Sequence, residues 1–190
     1  KNRLEPHSQS KNNFRELMVQ FWYPAKNKKK INRIPYMPNL IPLMKESIAQ
    51  NYPYFFPTSL INWLLGGVYT HAEHDTLLSD KQKKYPIILF SHGFASLSNF
   101  SSMQLEELAS HGYIVVGINH TYDCSISLFP DGRVIPLTQK WKSGEIKYLS
   151  SEVNVWVQDV KFILDKLEEI NKNDLQSKFR KKLDLEKIGM

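Results

Sequence analysis

The chain has 190 residues, of which 42% are hydrophobic and 23% charged, and its net charge is +6. This length supports one domain with a sizeable core, and the ordinary globular composition excludes extended disorder. Cys124 is the one cysteine, so an intramolecular disulfide is also excluded. No apolar run approaches the roughly 18 residues that a membrane-spanning helix needs. The sequence does not distinguish a cytoplasmic from an extracytoplasmic location.

The basic residues cluster in two runs, at 26–30 and 178–182. We interpret both runs as solvated loop or helix surface, and attraction to an anionic membrane or a nucleic acid is the alternative. Stacking aromatic residues do not alternate with the lysines, so no nucleic-acid partner is expected.

The first predicted strand is Phe14–Tyr23, where apolar side chains recur at every second position until Pro24 ends the run. We expect the strand at 14–23 to be an antiparallel neighbour of the main sheet. Residues 26–83 follow as an irregular insert, because prolines interrupt much of this region. A short helix can form within it at Met44–Gln50.

The end of this insert is rich in apolar residues between Ser59 and Tyr69, with Tyr54, Phe55 and Phe56 just before it. Two interpretations are open. The patch packs against the sheet as core, which is the favoured interpretation, or it contacts a lipid surface. The lipid-surface candidates are Trp63, Leu64 and Leu65.

Residues 84–190 alternate strands and helices. Tyr85–Phe90 and Tyr113–Ile118 are continuous apolar runs, which is typical of parallel strands buried on both faces. The helix predicted between them, Asn99–Ser110, ends at His111-Gly112, where the glycine supplies a positive φ. Its predicted inward residues are Phe100, Met103, Leu105, Leu108 and Ala109.

The pattern continues with a hairpin whose turn is Asp131-Gly132. The helix Glu152–Ile170 follows, with one apolar stripe, and a third strand is predicted to begin at Leu185–Met190. This alternation predicts an α/β fold with a mostly parallel sheet and helices on both of its faces. The stripe consists of Trp156, Val160, Ile163, Leu164 and Leu167.

Ligands of such sheets bind outside the carboxyl ends of the strands, here at residues 91–98 and 119–125. The turn Ser91-His92-Gly93-Phe94 is of the kind that supplies one backbone N–H to an oxyanion hole. We expect Gly93 to permit the sharp bend and the Phe94 N–H to point into the site. A strand-to-helix turn without a catalytic role is the alternative.

Six stretches of the chain form an ordered set of motifs: RELMVQFWYPA (15–25), KYPIILFSHGF (84–94), LEELASHGYIVVGINHTYD (105–123), FPDGRVI (129–135), DVKFILDKL (159–167) and LDLEKIGM (183–190). Together they resemble the platelet-activating-factor acetylhydrolase family of the α/β-hydrolases. The resemblance implies a three-layer α/β-hydrolase fold and a serine esterase that removes short or oxidised acyl groups from the sn-2 position of phospholipids. It implies an ester or phospholipid substrate, a lipid or membrane surface as a further partner, and no cofactor.

The same resemblance implies catalytic elements that these residues do not supply. In the family the strand that begins IGM continues into a Gly-His-Ser-x-Gly-Gly nucleophile elbow, and the acid and the histidine come later. No G-x-S-x-G occurs in the 190 residues. We therefore expect a single partial domain at 1–190, without the C-terminal strands and inactive alone, whose parent is the enzyme. The alternative is a non-catalytic, truncated hydrolase-fold module that binds lipid surfaces.

The remaining candidates lie near the same edge of the sheet. The predicted cleft residues are His92, Gly93, Ala95, His120, Tyr122 and Asp123, and a structural hydrogen bond into the turn is the favoured role of His92. A Cys124–His120 nucleophile pair and a metal site at His71 and His74 are weighed and not expected. Asp159 and Asp165 are predicted to be solvent-facing or salt-bridged.

Overall fold

The computed structural model describes residues 3–8, 12–26, 32–38, 58–138, 146–173 and 177–190, with the backbone alone at 58, 61, 62 and 146–149. In chain order the elements are β1 (Met18–Trp22), β2 (Arg33–Pro35), α1 (Thr58–Leu65), β3 (Tyr69–Glu73), β4 (Tyr85–Ser91), α2 (Ser102–Ser110), β5 (Ile114–Asn119), β6 (Ile126–Leu128), β7 (Val134–Pro136), α3 (Ile146–Asn173) and β8 (Leu183–Gly189).

Within the described residues, the main sheet has four strands in the order β1-β5-β4-β8. β4 lies parallel to β5, with Ile87 opposite Ile114, and it also lies parallel to β8 on its other side. β1 pairs with β5 in the antiparallel direction. The predicted parallel neighbours, the antiparallel first strand and the third strand near the C-terminus are therefore all present.

The two faces of the sheet carry different helices. Ile114, Val116 and Ile118 of β5 pack in one core cluster with Ile163 and Leu167 of α3. Val115, which points to the opposite face, packs with Leu105 and Ala109 of α2 and with Trp22 of β1. A strand covered on both faces needs an unbroken apolar sequence, which explains the continuous runs of β4 and β5. The result is a three-layer arrangement of helix, sheet and helix.

The inward face predicted for the helix at 99–110 is only partly correct. Residues Ser98–Ser101 form a 3-10 turn, and the α-helix begins at Ser102. Phe100, in the 3-10 turn, is 41% exposed and Met103 is 72% exposed, whereas Leu105 and Ala109 are buried as predicted. Met103 lies two residues before Leu105 and therefore points to the opposite face of the α-helix. The helix ends where expected, at Gly112 with a φ of +95°.

The region 26–83 is more regular than the predicted irregular insert. Its described residues include α1 and a two-stranded sheet in which β2 pairs antiparallel with β3. The predicted helix Met44–Gln50 and the aromatic residues 54–56 lie outside the described residues.

The predicted hairpin is also present. β6 and β7 pair antiparallel, and the turn between them contains Gly132 with a φ of +87°. Among the helices of the described residues, none combines the length and apolar character that crossing a membrane requires.

Candidate functional site

The ends of β4 and β5 place two loops side by side. Ser91, the last residue of β4, lies opposite Ile118, one residue before the end of β5. We call residues 92–96 the β4 turn and residues 120–125 the β5 loop. Because carboxyl ends of parallel strands meet at one sheet edge, both segments lie where ligands of α/β folds bind.

Backbone hydrogen bonds tie the β4 turn to the β5 loop in both directions. The Ala95 N–H donates to the Asp123 carbonyl at 2.9 Å, and the Ser125 N–H donates to the Ser96 carbonyl at 3.0 Å. A third bond closes the turn itself, from the Ser96 N–H to the Gly93 carbonyl at 3.0 Å. The position of the turn therefore depends on the position of the β5 loop.

The bend of the β4 turn lies at Ala95, which has a φ of +59°. Tyr122 in the β5 loop has a φ of +72°. The left-handed region is unfavourable for residues with a Cβ, so both positions hold strain that the surrounding contacts maintain. The role expected for Gly93 as the bend is wrong, because its φ is not left-handed and a Cβ there would meet nothing within 4 Å.

Both ring nitrogens of His92 form hydrogen bonds that hold the β4 turn in place. Its Nδ1–H donates to the Gly93 carbonyl at 2.7 Å, and its Nε2 accepts the backbone N–H of His120 at 3.1 Å. An acceptor at Nε2 and a donor at Nδ1 define one neutral tautomer. Burial lowers the pKa of His92 from 6.5 to about 4, since a protonated ring would lose both its hydration and the bond from His120.

His120 is completely buried and connects the strand ends to α3. Its Nδ1–H donates to Asp159 Oδ2 at 2.8 Å, and its Nε2 lies 2.8 Å from the hydroxyl oxygen of Ser91. With the ring neutral, that hydroxyl donates to Nε2. Ser91, His120 and Asp159 therefore form one hydrogen-bonded chain across the strand ends.

Asp159 is the anchor of this chain, and its side chain is completely buried. Arg15 binds it through two parallel bonds, Nε to Oδ1 and Nη2 to Oδ2, both 2.7 Å long, and Arg3 donates to it as well. Burial alone would raise the pKa of Asp159, but the hydrogen bonds from Arg15, His120 and Arg3 outweigh burial and hold it well below its usual range. The salt-bridged interpretation of Asp159 is confirmed, whereas Asp165 is exposed.

Arg15 is held in turn by further acceptors. Its Nη1 donates to Glu5 at 2.9 Å and to the carbonyl of Thr121 at 3.2 Å. Burial would lower the pKa of Arg15, but Asp159 and Glu5 outweigh that effect and keep the guanidinium charged. The N-terminal segment, α3 and the β5 loop therefore converge on a single guanidinium.

Trp156 of α3 joins the turn, the loop and the histidine. Its indole N–H donates to Asp123 Oδ2 at 2.9 Å. Its ring stacks on His120 with centroids 5.3 Å apart and faces the ring of Phe94 at 6.5 Å. Trp156 was predicted only as part of an apolar stripe, and periodicity does not show that its polar edge is used.

The chain Ser91–His120–Asp159 has the order of groups found in a catalytic triad, but its surroundings favour a structural role. A triad carboxylate must stabilise an imidazolium, and here two guanidinium groups already neutralise Asp159. Ser91 is the last residue of a strand and not the residue of a sharp strand-to-helix elbow. We therefore interpret the chain as a support for the β4 turn.

Several of the predicted cleft residues have buried side chains. The side chains of His92, His120 and Asp123 are all at most 3% exposed. His92 binds the Gly93 carbonyl, His120 binds Ser91 and Asp159, and Asp123 accepts the indole N–H of Trp156. Substrate contact by these three side chains stays a prediction. Tyr122 is half-buried with its ring against His7, and Gly93 is exposed above the turn.

The Cys124–His120 pair is excluded by geometry. The Cys124 thiol is buried beside the Ser127 hydroxyl at 3.1 Å, and burial raises the pKa of Cys124 to about 11. Both ring nitrogens of His120 are already used. In the described part of the chain, His71 and His74 belong to no group of three potential metal ligands.

The apolar patch of α1 lies on the surface and not in the core. Trp63 is 75% exposed and Leu64 is 55% exposed, while Leu65 is half-buried. The favoured interpretation of this patch as core packing is therefore wrong for its described residues.

Three-layer architecture with a turn held at the end of a central parallel strand defines the α/β-hydrolase class. A solved ferulic acid esterase from Streptomyces cinnamoneus shares this fold with a TM-score of 0.71 and 27% identity, covering 98% of this chain and 47% of that chain. A family model, platelet-activating factor acetylhydrolase, isoform II, matches residues 7–186, and the chain belongs to this family.

Platelet-activating factor acetylhydrolases from Cavia porcellus and Canis lupus familiaris are each 38% identical to this chain, over 65 and 61 residues. These alignments cover 34% and 32% of this chain and 15% and 14% of the two relatives. The chain is thus similar to hydrolases of carboxylic esters and spans about half of the solved esterase.

Asp159→Asn tests the anchor, with Asp165→Asn on the same helix as the matched control. The variant leaves Glu5 as the carboxylate partner of Arg15. Removing one partner of a buried ion pair costs about 3–5 kcal/mol, and we expect a loss of about 3 kcal/mol here. The exposed control should change the free energy of unfolding by less than about 0.5 kcal/mol. Urea denaturation at pH 7 measures both, and equal effects of the two variants would contradict the anchor role.

His92 should make stability depend on pH. Its pKa is lower in the folded state, so its contribution is complete above pH 6.5 and is lost as the pH falls toward 4. The loss should approach about 3 kcal/mol, at 1.36 kcal/mol for each pKa unit. About 2 kcal/mol of this loss should occur between pH 7 and pH 5. Unfolding free energies at these two pH values for the wild type and His92→Asn measure it.

The control is His111→Asn, because Ser110-His111-Gly112 repeats the tripeptide of the β4 turn with an exposed histidine. This variant should keep the wild-type pH dependence, while His92→Asn should flatten it. The same slope in all three proteins would show that His92 does not titrate as described.

Proposed function

We propose that this chain is part of a serine-dependent carboxylic ester hydrolase in which the β4 turn stabilises the transition state of acyl transfer. The observation that carries the proposal is the placement of the turn, at the carboxyl end of the central parallel strand and fixed by hydrogen bonds to the β5 loop. Membership of an acetylhydrolase family supports the reaction class.

The Phe94 N–H is the proposed catalytic group of this chain. Attack on an ester carbonyl places negative charge on the carbonyl oxygen, and a backbone N–H fixed in advance stabilises that charge. Fixation matters because a donor that moves freely must reorganise during the reaction. His92, His120 and Asp159 act as positioning residues, since they hold the turn without contacting substrate.

The proposed nucleophile lies outside these residues, in a G-x-S-x-G elbow that follows the strand β8. Support comes from the absence of that motif in the 190 residues and from the parallel direction of β8 beside β4. The acid, the catalytic histidine, the second oxyanion donor and the remaining strands would follow it in the chain.

The proposed substrates are small esters and phospholipids with a short or oxidised sn-2 acyl group. The relatives named as platelet-activating factor acetylhydrolases support this class, and the solved esterase supports ester hydrolysis more broadly. No cofactor takes part in the proposed acyl transfer, because a serine, a general base and oxyanion donors are sufficient.

A fluorophosphonate probe tests where the nucleophile lies. The 190-residue chain, with its fold checked by circular dichroism, should remain unlabelled and should not hydrolyse p-nitrophenyl acetate. The product of the longer gene should be labelled at a serine after Met190. Stoichiometric labelling of Ser91 would instead make the Ser91–His120–Asp159 chain catalytic and would overturn the proposal.

Gly93→Val tests whether the β4 turn faces the acyl group. A Cβ at Gly93 would meet no atom within 4 Å, so we expect the variant to keep the wild-type melting temperature while the valine occupies space above the turn. In the active parent protein, kcat/KM for p-nitrophenyl acetate should fall at least about 100-fold, which is the loss typical of a missing oxyanion donor.

Gly67→Val is the matched control, because a Cβ at Gly67 also meets nothing within 4 Å. It should leave both stability and kcat/KM unchanged. Wild-type activity of Gly93→Val would place the substrate elsewhere.

A second candidate function is attachment to a lipid surface through α1. Its sequence, TSLINWLL, carries no charge, and Trp63 and Leu64 expose most of their surface. Exposed apolar residues with an amphipathic tryptophan are suited to the boundary between lipid headgroups and acyl chains. We propose this contact as the way in which the parent enzyme reaches phospholipid substrates.

The double variant Trp63→Ser, Leu64→Ser tests the attachment. Burial of two large side chains contributes about 1.5–3 kcal/mol each, so binding to phosphatidylcholine vesicles should weaken at least about tenfold. Met103→Ser on α2, which removes a residue that is 72% exposed, should not change binding. Co-sedimentation measures this, and equal binding of the double variant and the wild type would exclude α1 as the contact.

A further inference from the structure

A second group of polar side chains lies at the β5 loop. His7 comes from the N-terminal segment, Asp123 from the β5 loop and Glu152 from α3. One ligand atom from each lies within 4.8 Å of the others, and His7 Nε2 is 2.8 Å from Glu152 Oε2. We infer that His7, Asp123 and Glu152 bind a divalent cation.

The burial of the two acidic residues supports a cation. Asp123 is completely buried and Glu152 is 4% exposed. Two carboxylates brought together out of water repel each other and lose hydration, so a positive charge between them is stabilising. A divalent cation bound by all three residues provides that charge. The direct contact between His7 and Glu152 is the competing arrangement that the experiment must separate.

The ligand atoms are spaced for an ion. Metal–ligand distances of about 2.0–2.6 Å allow ligand atoms of one ion to lie up to about 4–5 Å apart on opposite sides. The separations within this group fall in that range. Three protein ligands also leave coordination positions for water.

Hydrogen bonds outside the group orient the proposed ligands. The indole N–H of Trp156 donates to Asp123 Oδ2 at 2.9 Å and so orients this carboxylate. The backbone N–H of His7 donates to Glu5 at 3.0 Å, which holds the segment that carries the imidazole. Such contacts to ligating groups are typical of metal sites, where they fix the direction of the ligand lone pairs.

One imidazole nitrogen and two carboxylate oxygens define the kind of ion. Imidazole favours zinc and other first-row transition metals, and carboxylates favour harder ions such as manganese. We therefore assign the site to a divalent transition metal, with Zn²⁺ and Mn²⁺ as the two probes.

The proposed site connects to the β4 turn through one residue. The carbonyl of Asp123 accepts the Ala95 N–H, so an ion that fixes the Asp123 side chain also fixes the residue that holds the bend. The proposed ion would also join three separate segments of the chain, which are the N-terminal segment, the β5 loop and α3. Metal binding should therefore stabilise the fold, and it can be measured independently of ester hydrolysis.

Equilibrium dialysis of the protein against ZnCl₂ and MnCl₂, followed by elemental analysis, tests the proposal directly. We expect one ion of at least one metal per chain with a micromolar or lower Kd, and a melting temperature that rises on loading and falls on chelation with EDTA. The proposal would be overturned if neither metal bound stoichiometrically, or if the melting temperature responded to neither metal nor chelator. Either result would favour the direct contact between His7 and Glu152 without an ion.

Glu152→Gln locates the ion, since it keeps the side-chain shape and removes the charge. It should weaken metal binding at least tenfold, whereas Glu168→Gln, at an exposed position on the same helix, should bind as the wild type does. His7→Gln gives the same test from the N-terminal segment if the first variant does not fold. Unchanged affinity in the folded variants would place the metal elsewhere and contradict the assignment.

Discussion

The buried ion pair between Arg15 and Asp159 is the constraint on which the rest of the candidate site depends. The two residues are 144 positions apart, and each supplies the other with two of its hydrogen bonds at a buried position. Their pairing brings the start of β1 and the middle of α3 to the strand ends. With Asp159 placed there, its second contact fixes the His120 ring, and the His120 backbone in turn fixes His92.

This series of contacts explains how the strained backbone conformation of the β4 turn is maintained. Ala95 has a left-handed backbone that would relax if the turn were free, and hydrogen bonds from the β5 loop and from below keep it in place. An oxyanion donor is useful only when it is already oriented before charge develops. The polar network thus links stability to the proposed catalysis through the position of the β4 turn.

Local patterns predicted most of the fold. The apolar runs of β4 and β5 and the glycine at the end of α2 indicate the correct elements because burial on two faces and a positive φ leave direct marks on the sequence. The solvent exposure of individual side chains was harder to predict. The predicted inward face includes Met103, although helical periodicity places it opposite Leu105. The surface position of Trp63 depends on packing that periodicity does not contain.

The site could be located from the sequence, but its internal contacts could not. The SHGF turn marks the correct strand end, and the resemblance to acetylhydrolases assigns its class. Asp159 and Asp165 look alike in the helix pattern, and only the partner Arg15 separates the buried anchor from the exposed residue. The bend was expected at Gly93 and lies at Ala95, because tertiary hydrogen bonds can hold a residue with a Cβ in a left-handed conformation.

The most direct test of the account is a crystal structure of the parent protein inhibited covalently by a fluorophosphonate. The bound phosphonyl oxygen imitates the oxygen that becomes charged during acyl transfer. The account predicts that this oxygen accepts a hydrogen bond from the Phe94 N–H, with the Arg15–Asp159–His120 contacts intact beneath the turn. A phosphonyl oxygen directed away from the β4 turn would contradict it.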